Sequence, residues 1–256
     1  MVAKVLPAGQ PGQRRQPVLA LAHTSPLAAA TLYYFAPPLA TGRIDSRMHH
    51  FIAALDAAKP PQQIIYISTS GVYGDTKGEW VTEESPLNPQ ANRAFRRVDA
   101  ETALTGWCET HRIPLTILRV AGIYGPDKLP LKRLQKGTPV LRQEECGYTN
   151  RIHIEDLVNI CIKAAGQGEG TEIYNVADGH PSTMSDYLFA VADTLGLPRP
   201  ATVTMEEAKR VLTPAMISYL SESRRLDNEK LLRGLGVELR NSTLGEGLRG
   251  IKPSHP

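Results

Sequence analysis

Ile64-Ile-Tyr-Ile-Ser-Thr-Ser-Gly-Val-Tyr-Gly-Asp75 is the stretch of sequence that decides the fold. Its apolar residues, Ile64–Ile67, run without interruption into Ser68, Thr69 and Ser70. An unbroken apolar run is typical of a parallel strand that is buried on both faces. Because ligands of open α/β sheets bind beyond the carboxyl ends of the strands, we expect this hydroxyl cluster to face a ligand.

Apolar runs and amphipathic segments alternate along the rest of the chain. The predicted strands are Lys4–Leu6, Val18–Ala22, Leu32–Ala36, Ile64–Ser68, Ile113–Val120 and Ile173–Val176. The predicted helices begin at Asp45, at the basic stretch after Pro89, and at Glu155 and Ser185, with polar helices near Met205 and Asn228. Strands that alternate with helices predict an α/β fold with a doubly wound parallel sheet.

The composition, 41% hydrophobic, is that of a soluble globular protein, and 256 residues suffice for one α/β domain or for one domain with a small appendage. A net charge of +3 is too small to indicate a nucleic-acid partner. Three widely spaced cysteines indicate a reducing cytoplasm and no disulfide or metal site. The apolar region Val18–Ala40 contains Pro26 and Pro37-Pro38, so we interpret it as two short strands and expect neither an export signal nor a membrane span.

Four motifs occur in an order that resembles the extended short-chain dehydrogenase/reductases, and more narrowly the NAD-dependent epimerase/dehydratase family. They are Ser68-Thr-Ser-Gly-Val-Tyr-Gly74, Arg119-Val-Ala-Gly-Ile-Tyr-Gly-Pro126, Arg151-Ile-His-Ile-Glu-Asp156 and Tyr174-Asn-Val-Ala-Asp178. The resemblance extends over roughly Leu32 to Leu248. It implies a Rossmann-like core in residues 1–125, with a shortened amino-terminal part. Residues 126–256 would form mainly a substrate lobe, with some segments returning to the core.

The resemblance also implies the ligands and the site. It implies NAD or NADP as cofactor, a small carbonyl, hydroxyl or nucleotide-sugar-like substrate, and pairing into a homodimer. The residues at catalytic positions are Thr69, Ser70, Arg93, Arg97 and Tyr148. Those at cofactor positions are Gly9, Gly12, Ala36, Pro37, Ser68, Arg97, Gly122 and Ile123, and those at substrate positions are Thr69, Tyr124 and Arg151. Arg151 is expected either to bind a substrate phosphate or to form a surface ion pair.

The sequence departs from the family pattern in its glycine loop. Gly9 and Gly12 keep the spacing of the last two glycines, but Pro7 stands at the position of the first. The helix that follows this loop should direct its amino end at the pyrophosphate, but only Gln13–Gln16 remain for it between the loop and Pro17. This half of the cofactor site is therefore expected to be eroded or truncated.

The second departure is catalytic. The family uses a tyrosine as general acid/base and a lysine four residues later, and those positions hold Arg93 and Arg97. An arginine stays charged at ordinary pH and cannot exchange a proton. Tyr73 and Lys77 have the same spacing, but Gly74 lies between them and indicates a loop, so we expect Tyr73 to pack beneath the site.

Two functional interpretations remain open from the sequence. The first is an NAD(P)-dependent oxidoreductase or epimerase with an atypical site. The second is a catalytically inactive binding or sensor protein that retains the fold. Tyr148 is the substitute proton carrier in the first interpretation, whereas His153, between two isoleucines, is expected to be a satisfied, partly buried histidine.

Overall fold

The structure is a computed structural model, and it describes residues 30–56 and 60–251. The strands are β1 (Thr31–Tyr34), β2 (Gln63–Thr69), β3 (Trp80–Val81), β4 (Leu115–Val120), β5 (Gly122–Tyr124), β6 (Val140–Leu141), β7 (Tyr148–Thr149), β8 (Arg151–His153), β9 (Thr171–Val176), β10 (Ser182–Thr183), β11 (Thr202–Val203) and β12 (Arg225–Leu226). The helices are α1 (Ser46–Asp56), α2 (Asn92–His111), α3 (Leu131–Gln135), α4 (Ile154–Ala164), α5 (Met184–Thr194), α6 (Met205–Val211), α7 (Pro214–Leu220), α8 (Glu229–Leu235) and α9 (Leu244–Leu248).

The central sheet has the strand order β1-β2-β4-β9 in the described residues, and every pairing is parallel. The predicted parallel α/β sheet is confirmed, with strand ends that differ by one or two residues from the prediction. β1 ends at Tyr34 instead of Ala36, ahead of Pro37-Pro38. The predicted strands Lys4–Leu6 and Val18–Ala22 lie outside the described residues, as do Gly9 and Gly12.

Helices cover both faces of this sheet. On one face α1 and α2 pack against β1 and β2 through a cluster that includes Phe51, Tyr66 and Leu104. On the other face α4 and α8 pack through a second cluster that includes Ile160 and Leu231. Burial on both faces explains why β2 and β4 are continuously apolar in sequence.

The helix ends follow from local chemistry. Asp45 caps α1, because its Oδ1 accepts a hydrogen bond from the Met48 amide at 3.1 Å. The 20-residue α2 ends at His111 and is followed by Arg112, which adopts a left-handed conformation with φ of 56°. The amide of Ile113 then bonds back to Cys108 at 2.9 Å, so β4 begins two residues later than predicted, at Leu115.

The carboxyl-terminal part contributes to both the sheet and a separate lobe. β9 and α8 belong to the core, whereas α5 and α9 pack around Tyr124 and Leu188 in a third cluster. α6 and α7 pack around Leu141 in a further cluster, and these four helices make up the lobe. The predicted domain boundary after residue 125 stays a prediction. The polar loop expected between Gly71 and Pro89 contains β3, which pairs in parallel with β12 and so ties this loop to the distant residues 225–226.

Candidate functional site

A cavity of about 490 Å³ opens beyond the carboxyl ends of β2 and β4, between the sheet and the lobe. Its walls come from the ends of these strands, β5, the first turns of α2 and α5, the β7–β8 segment, the residues around the end of α7, and Pro38 after β1. The predicted site residues that line it are Thr69, Ser70, Arg93, Arg97, Gly122, Ile123, Tyr124, Tyr148 and Arg151. The predicted residues Ser68, Ala36 and Pro37 do not line it, although the neighbouring Pro38 does.

The hydroxyls of Ser68 and Thr69, at the end of β2, are directed differently. Thr69 is partly buried, and its Oγ1 accepts a hydrogen bond from the Gly71 amide at 3.3 Å, which caps a short 3₁₀ turn. Ser68 is buried, and its hydroxyl donates to Glu101. Because successive side chains of a strand point to opposite faces, Thr69 and Ser68 cannot both face the cavity. The prediction that Ser68 binds cofactor therefore has no support in this geometry.

A buried polar network lies behind the hydroxyl cluster. Arg119 on β4 donates to Glu101 on α2, with Nη2 and Oε2 2.8 Å apart, and both side chains are buried. Nη1 of Arg119 also donates to the Tyr73 hydroxyl at 2.9 Å, and this hydroxyl donates to Asn175 at 2.7 Å. Tyr73 thus packs beneath the site as expected, and burial raises the pKa of its phenol. The charges of Glu101 and Arg119 offset each other.

Arg93 lines the cavity, but its guanidinium is held by the last turn of α7 and by the segment that follows it. It donates to the Ser218 hydroxyl at 3.0 Å and to Oε1 of Glu222 at 3.0 Å, and it lies 3.7 Å above the Tyr219 ring. The buried Glu222 also accepts from Arg224 at 2.9 Å. Arg93 therefore joins α2 to the lobe. No local pattern predicts this cluster, because Arg93 precedes its partners by more than 120 residues.

Arg97 is bound to the end of β2. Its Nη1 donates to the Tyr66 hydroxyl at 3.0 Å and to the Ile67 carbonyl at 3.1 Å. Burial raises the pKa of Tyr66 to about 12, so this phenol stays protonated at neutral pH. The guanidinium brings positive charge to the cavity wall next to the hydroxyl cluster.

Arg151 is the most deeply buried cation on the cavity wall, with 5% exposure. It donates to the Thr149 hydroxyl at 2.9 Å and stacks 4.1 Å from the Tyr187 ring centre. In the described part of the chain no carboxylate forms an ion pair with it, although Asp178 and Asp186 lie near enough to favour its charged form, and its Nε is buried without a hydrogen-bond partner. Burial lowers the pKa of Arg151 to about 10, which leaves it charged at neutral pH. The alternative of a surface ion pair is therefore wrong.

The buried phenols of the cavity are poorly suited to act as bases. Burial raises the pKa of both Tyr124 and Tyr187, whereas a phenol base needs a lowered pKa. Tyr148 is more accessible, at 42% exposure. His153 is buried and caps α4 by accepting a hydrogen bond from the Glu155 amide at 3.4 Å, which agrees with the satisfied histidine expected from the sequence.

The described residues fit part of a dinucleotide. Gly122 and Ile123 form a cavity wall beside Val120, and Ile123 exposes apolar surface on which a flat ring can lie. The predicted pyrophosphate contacts depend on Gly9 and Gly12, outside the described residues. Within residues 30–56 and 60–251, no group of three or more His, Cys, Asp or Glu side chains is arranged to hold a metal, and no helix has the length and apolar character to cross a membrane.

Comparison with known families gives a match to the model of the NAD dependent epimerase/dehydratase family over residues 26–177. The chain belongs to this family. The matched region contains the hydroxyl cluster, Arg93, Arg97 and Arg151. Membership is consistent with the parallel sheet and with the cavity at its carboxyl edge.

Among curated proteins, the chain is similar to dTDP-D-glucose 4,6-dehydratase of Mus musculus, with 28% identity over 123 residues. This match covers 45% of the chain and 35% of the dehydratase. A 3-diazoavenalumate denitrifying reductase of a Streptomyces species is 29% identical over 138 residues, which cover 52% of the chain and 45% of the reductase. The chain thus matches less than half the length of each of these two proteins.

Among solved structures, a functionally unknown conserved protein from Silicibacter pomeroyi is 32% identical, with a TM-score of 0.71. The match covers 87% of this chain and 77% of that protein. UDP-glucuronic acid 4-epimerase from Bacillus cereus, solved in complex with NAD, has a TM-score of 0.66 at 18% identity and covers 85% and 71% of the two chains. At that identity the likeness shows the fold alone.

Proposed function

We propose that the cavity binds a nucleotide-sugar-like ligand, and that the protein is an NAD(P)-dependent oxidoreductase or epimerase acting on a carbonyl or hydroxyl group of that ligand. Arg151 carries this proposal. A buried guanidinium without a carboxylate partner is costly unless an anion binds to it, and a phosphate offers the two oxygens that a guanidinium can bind in parallel. The deep position of Arg151 in the cavity wall therefore favours an anionic ligand.

The remaining cavity residues have roles that follow from their chemistry. Thr69 and Ser70 lie at the carboxyl edge, where their hydroxyls can hydrogen-bond to the reacting oxygen of the ligand. Arg97 adds positive charge beside them and stabilises negative charge that develops on this oxygen. The cofactor, when bound, supplies hydride transfer, and Gly122 with Ile123 are the described residues that would lie along its ring.

The second candidate, a binding or sensor protein without catalysis, is favoured by the contacts of Arg93. This residue stands where the family resemblance places the tyrosine acid/base, and its guanidinium is bound to Glu222 and Ser218. For the first candidate to hold, Tyr148, the accessible phenol of the cavity, would have to exchange the proton in place of the missing tyrosine.

Calorimetric titration with UDP-glucose tests the ligand proposal. Arg151→Met keeps an unbranched side chain but removes the charge, and loss of a charge-assisted hydrogen bond worth about 1.5–3 kcal/mol weakens binding roughly 10- to 150-fold. The control is Arg210→Met, because Arg210 forms an exposed pair with Glu206 on α6. Equal affinity in the parent and in Arg151→Met would overturn the proposal.

Cofactor absorbance separates the two candidates. With NAD or NADP and a bound nucleotide sugar, an oxidoreductase accumulates reduced cofactor, whereas an epimerase returns the hydride and changes only the sugar, which NMR follows. In either case Tyr148→Phe lowers the rate without weakening ligand binding. Ligand binding with neither cofactor reduction nor a changed sugar, in both the parent and an Arg93→Tyr variant, would support the binding protein instead.

A further inference from the structure

A second cavity, of about 490 Å³, lies in the lobe, and the roles above leave it unexplained. It opens between the turn that follows β5, the amino end of α4, the end of α5 and the residues after α9. In the described part of the chain no residue lines both cavities. The Tyr124 ring of the first cavity meets the His153 ring of the second edge-on, with ring centres 5.2 Å apart. The second cavity is therefore a separate site, and its volume suits a small molecule.

Two buried nitrogen donors belong to this cavity. His153 is 4% exposed, and its Nδ1 accepts a hydrogen bond from the Glu155 amide, so Nε2 carries the ring proton. Nδ2 of Asn241 is buried and has no hydrogen-bond partner in the described residues. The backbone amide of Asn241 donates to Oδ2 of Asp156 at 3.0 Å, which fixes the segment that carries this side chain. Because a buried donor without an acceptor costs free energy, the cavity favours a ligand that brings an acceptor oxygen.

Three charged side chains lie at the mouth of the cavity. Asp127, Glu155 and Arg249 line it and are exposed. Oε2 of Glu155 lies 4.0 Å from Nδ1 of His153, so an acidic group stands beside one of the buried donors. A ligand with a carboxylate as its only charge would meet two acidic groups and one basic group. An ammonium next to that carboxylate removes the repulsion.

The rest of the cavity wall is aliphatic. Its apolar side chains also belong to the third hydrophobic cluster of the lobe, and they are Leu129, Leu131, Leu195 and Ile251. A branched aliphatic group placed among them loses its contact with water, which stabilises the bound state. The cavity thus combines an apolar wall, buried donors and acidic groups.

We infer that this cavity, the amino-acid site, binds an α-amino acid with an aliphatic side chain. The carboxylate of the amino acid accepts hydrogen bonds from His153 and Asn241, and its ammonium lies beside Asp127 and Glu155. Its side chain packs on the aliphatic wall. An α-amino acid meets all three requirements because its carboxylate, ammonium and side chain are attached to one carbon. The inference does not depend on the proposed function, which uses none of these residues.

Calorimetric titration with L-leucine and two analogues tests this inference. 4-Methylpentanoate lacks the ammonium of leucine, 3-methylbutylamine lacks the carboxylate, and both keep the aliphatic side chain. We expect leucine to bind roughly fivefold or more tightly than either analogue. Asn241→Leu keeps the size of the side chain and removes the donor, so it should weaken leucine binding roughly 5- to 100-fold. Asn88→Leu is the control, because Asn88 is an exposed asparagine that lines neither cavity.

Glu155→Gln tests the site without changing a buried residue. It removes the acidic group beside the ammonium, so it should weaken leucine binding roughly 2- to 5-fold and not weaken binding of 4-methylpentanoate. If Asn241→Leu fails to fold, this result decides. Arg151→Met, which alters the first cavity, should leave leucine binding unchanged.

The inference is overturned if leucine does not bind at millimolar concentration, or if the three probes bind alike. Equal affinity of Asn241→Leu and Asn88→Leu for leucine also overturns it. The same holds if Glu155→Gln weakens leucine and 4-methylpentanoate equally. Loss of leucine binding in Arg151→Met, with Asn241→Leu unaffected, would place leucine in the first cavity and refute the amino-acid site.

Discussion

Replacing Arg93 with alanine is expected to loosen the lobe from α2. The side chain is only 27% exposed, and it donates to Ser218 and Glu222 and stacks on Tyr219. Alanine removes all of these contacts at once. Glu222 is not left as a lone buried charge, because Arg224 still donates to it.

The magnitude follows from these contacts. A hydrogen bond to a charged group contributes about 1.5–3 kcal/mol, and stacking of a cation on an exposed ring about 0.5–1 kcal/mol. The partial exposure of Arg93 and the remaining partner of Glu222 keep the cost below the roughly 3–5 kcal/mol of an orphaned buried charge. We therefore expect Arg93→Ala to lower the free energy of unfolding by about 2–3 kcal/mol.

Urea unfolding followed by far-UV circular dichroism measures this difference. Arg210→Ala is the control, because its ion pair with Glu206 is highly exposed and should contribute less than about 1 kcal/mol. If Arg93→Ala and Arg210→Ala lower the free energy of unfolding equally, Arg93 does not hold the lobe, and its position at the family's tyrosine would need another explanation.

Two further predictions concern the lobe and the surroundings of Arg151. A Cβ at Gly247 would lie 2.1 Å from the Tyr124 hydroxyl, whereas one at Gly245 in the same helix meets nothing within 4 Å. We therefore expect Gly247→Ala to be destabilised by about 1–3 kcal/mol, and the control Gly245→Ala to be unchanged or slightly stabilised, as measured by thermal unfolding. Burial raises the pKa of Asp178 to about 6, above its ordinary 3.8, so the folded state loses stability as pH rises from about 4 to about 6 and no more above that. Asp178→Asn should remove this loss. Urea unfolding should then show the free energy of unfolding of Asp178→Asn rising relative to that of the parent by at most about 3 kcal/mol between pH 4 and pH 6. A difference that stays constant from pH 4 to pH 7 would contradict the raised pKa of Asp178.

The sequence predicted what depends on local pattern. The apolar runs placed β2 and β4, and the amphipathic segment that begins at Asp45 placed α1, whose buried Met48, Phe51 and Leu55 show the helical spacing that burial of one face requires. Strand alternation could also have separated Ser68 from Thr69, since neighbouring side chains of a strand point to opposite faces.

Contacts between distant segments were beyond the reach of sequence reasoning. Arg93 meets residues 218 and 222, and Trp80 meets Arg225, only because β12 pairs with β3 and returns the chain to the cavity. No periodicity or spacing encodes such a pairing. For the same reason the burial of Arg151, which decides between a phosphate site and a surface ion pair, could be read only from the structure.

The long helix α2 also has a mechanical consequence. Arg93, Arg97 and Glu101 stand four residues apart on one side of it, so about 12 Å of rigid rod separates the first from the last. At the Glu101 end of this 12 Å stretch, the buried ion pair with Arg119 fixes the helix to the sheet. At the Arg93 end, contacts that are partly exposed to water bind the helix to the lobe. A force that pulls the lobe away from the sheet is therefore resisted least at Arg93. We expect rupture to begin there, while the rod itself stays fixed to the sheet.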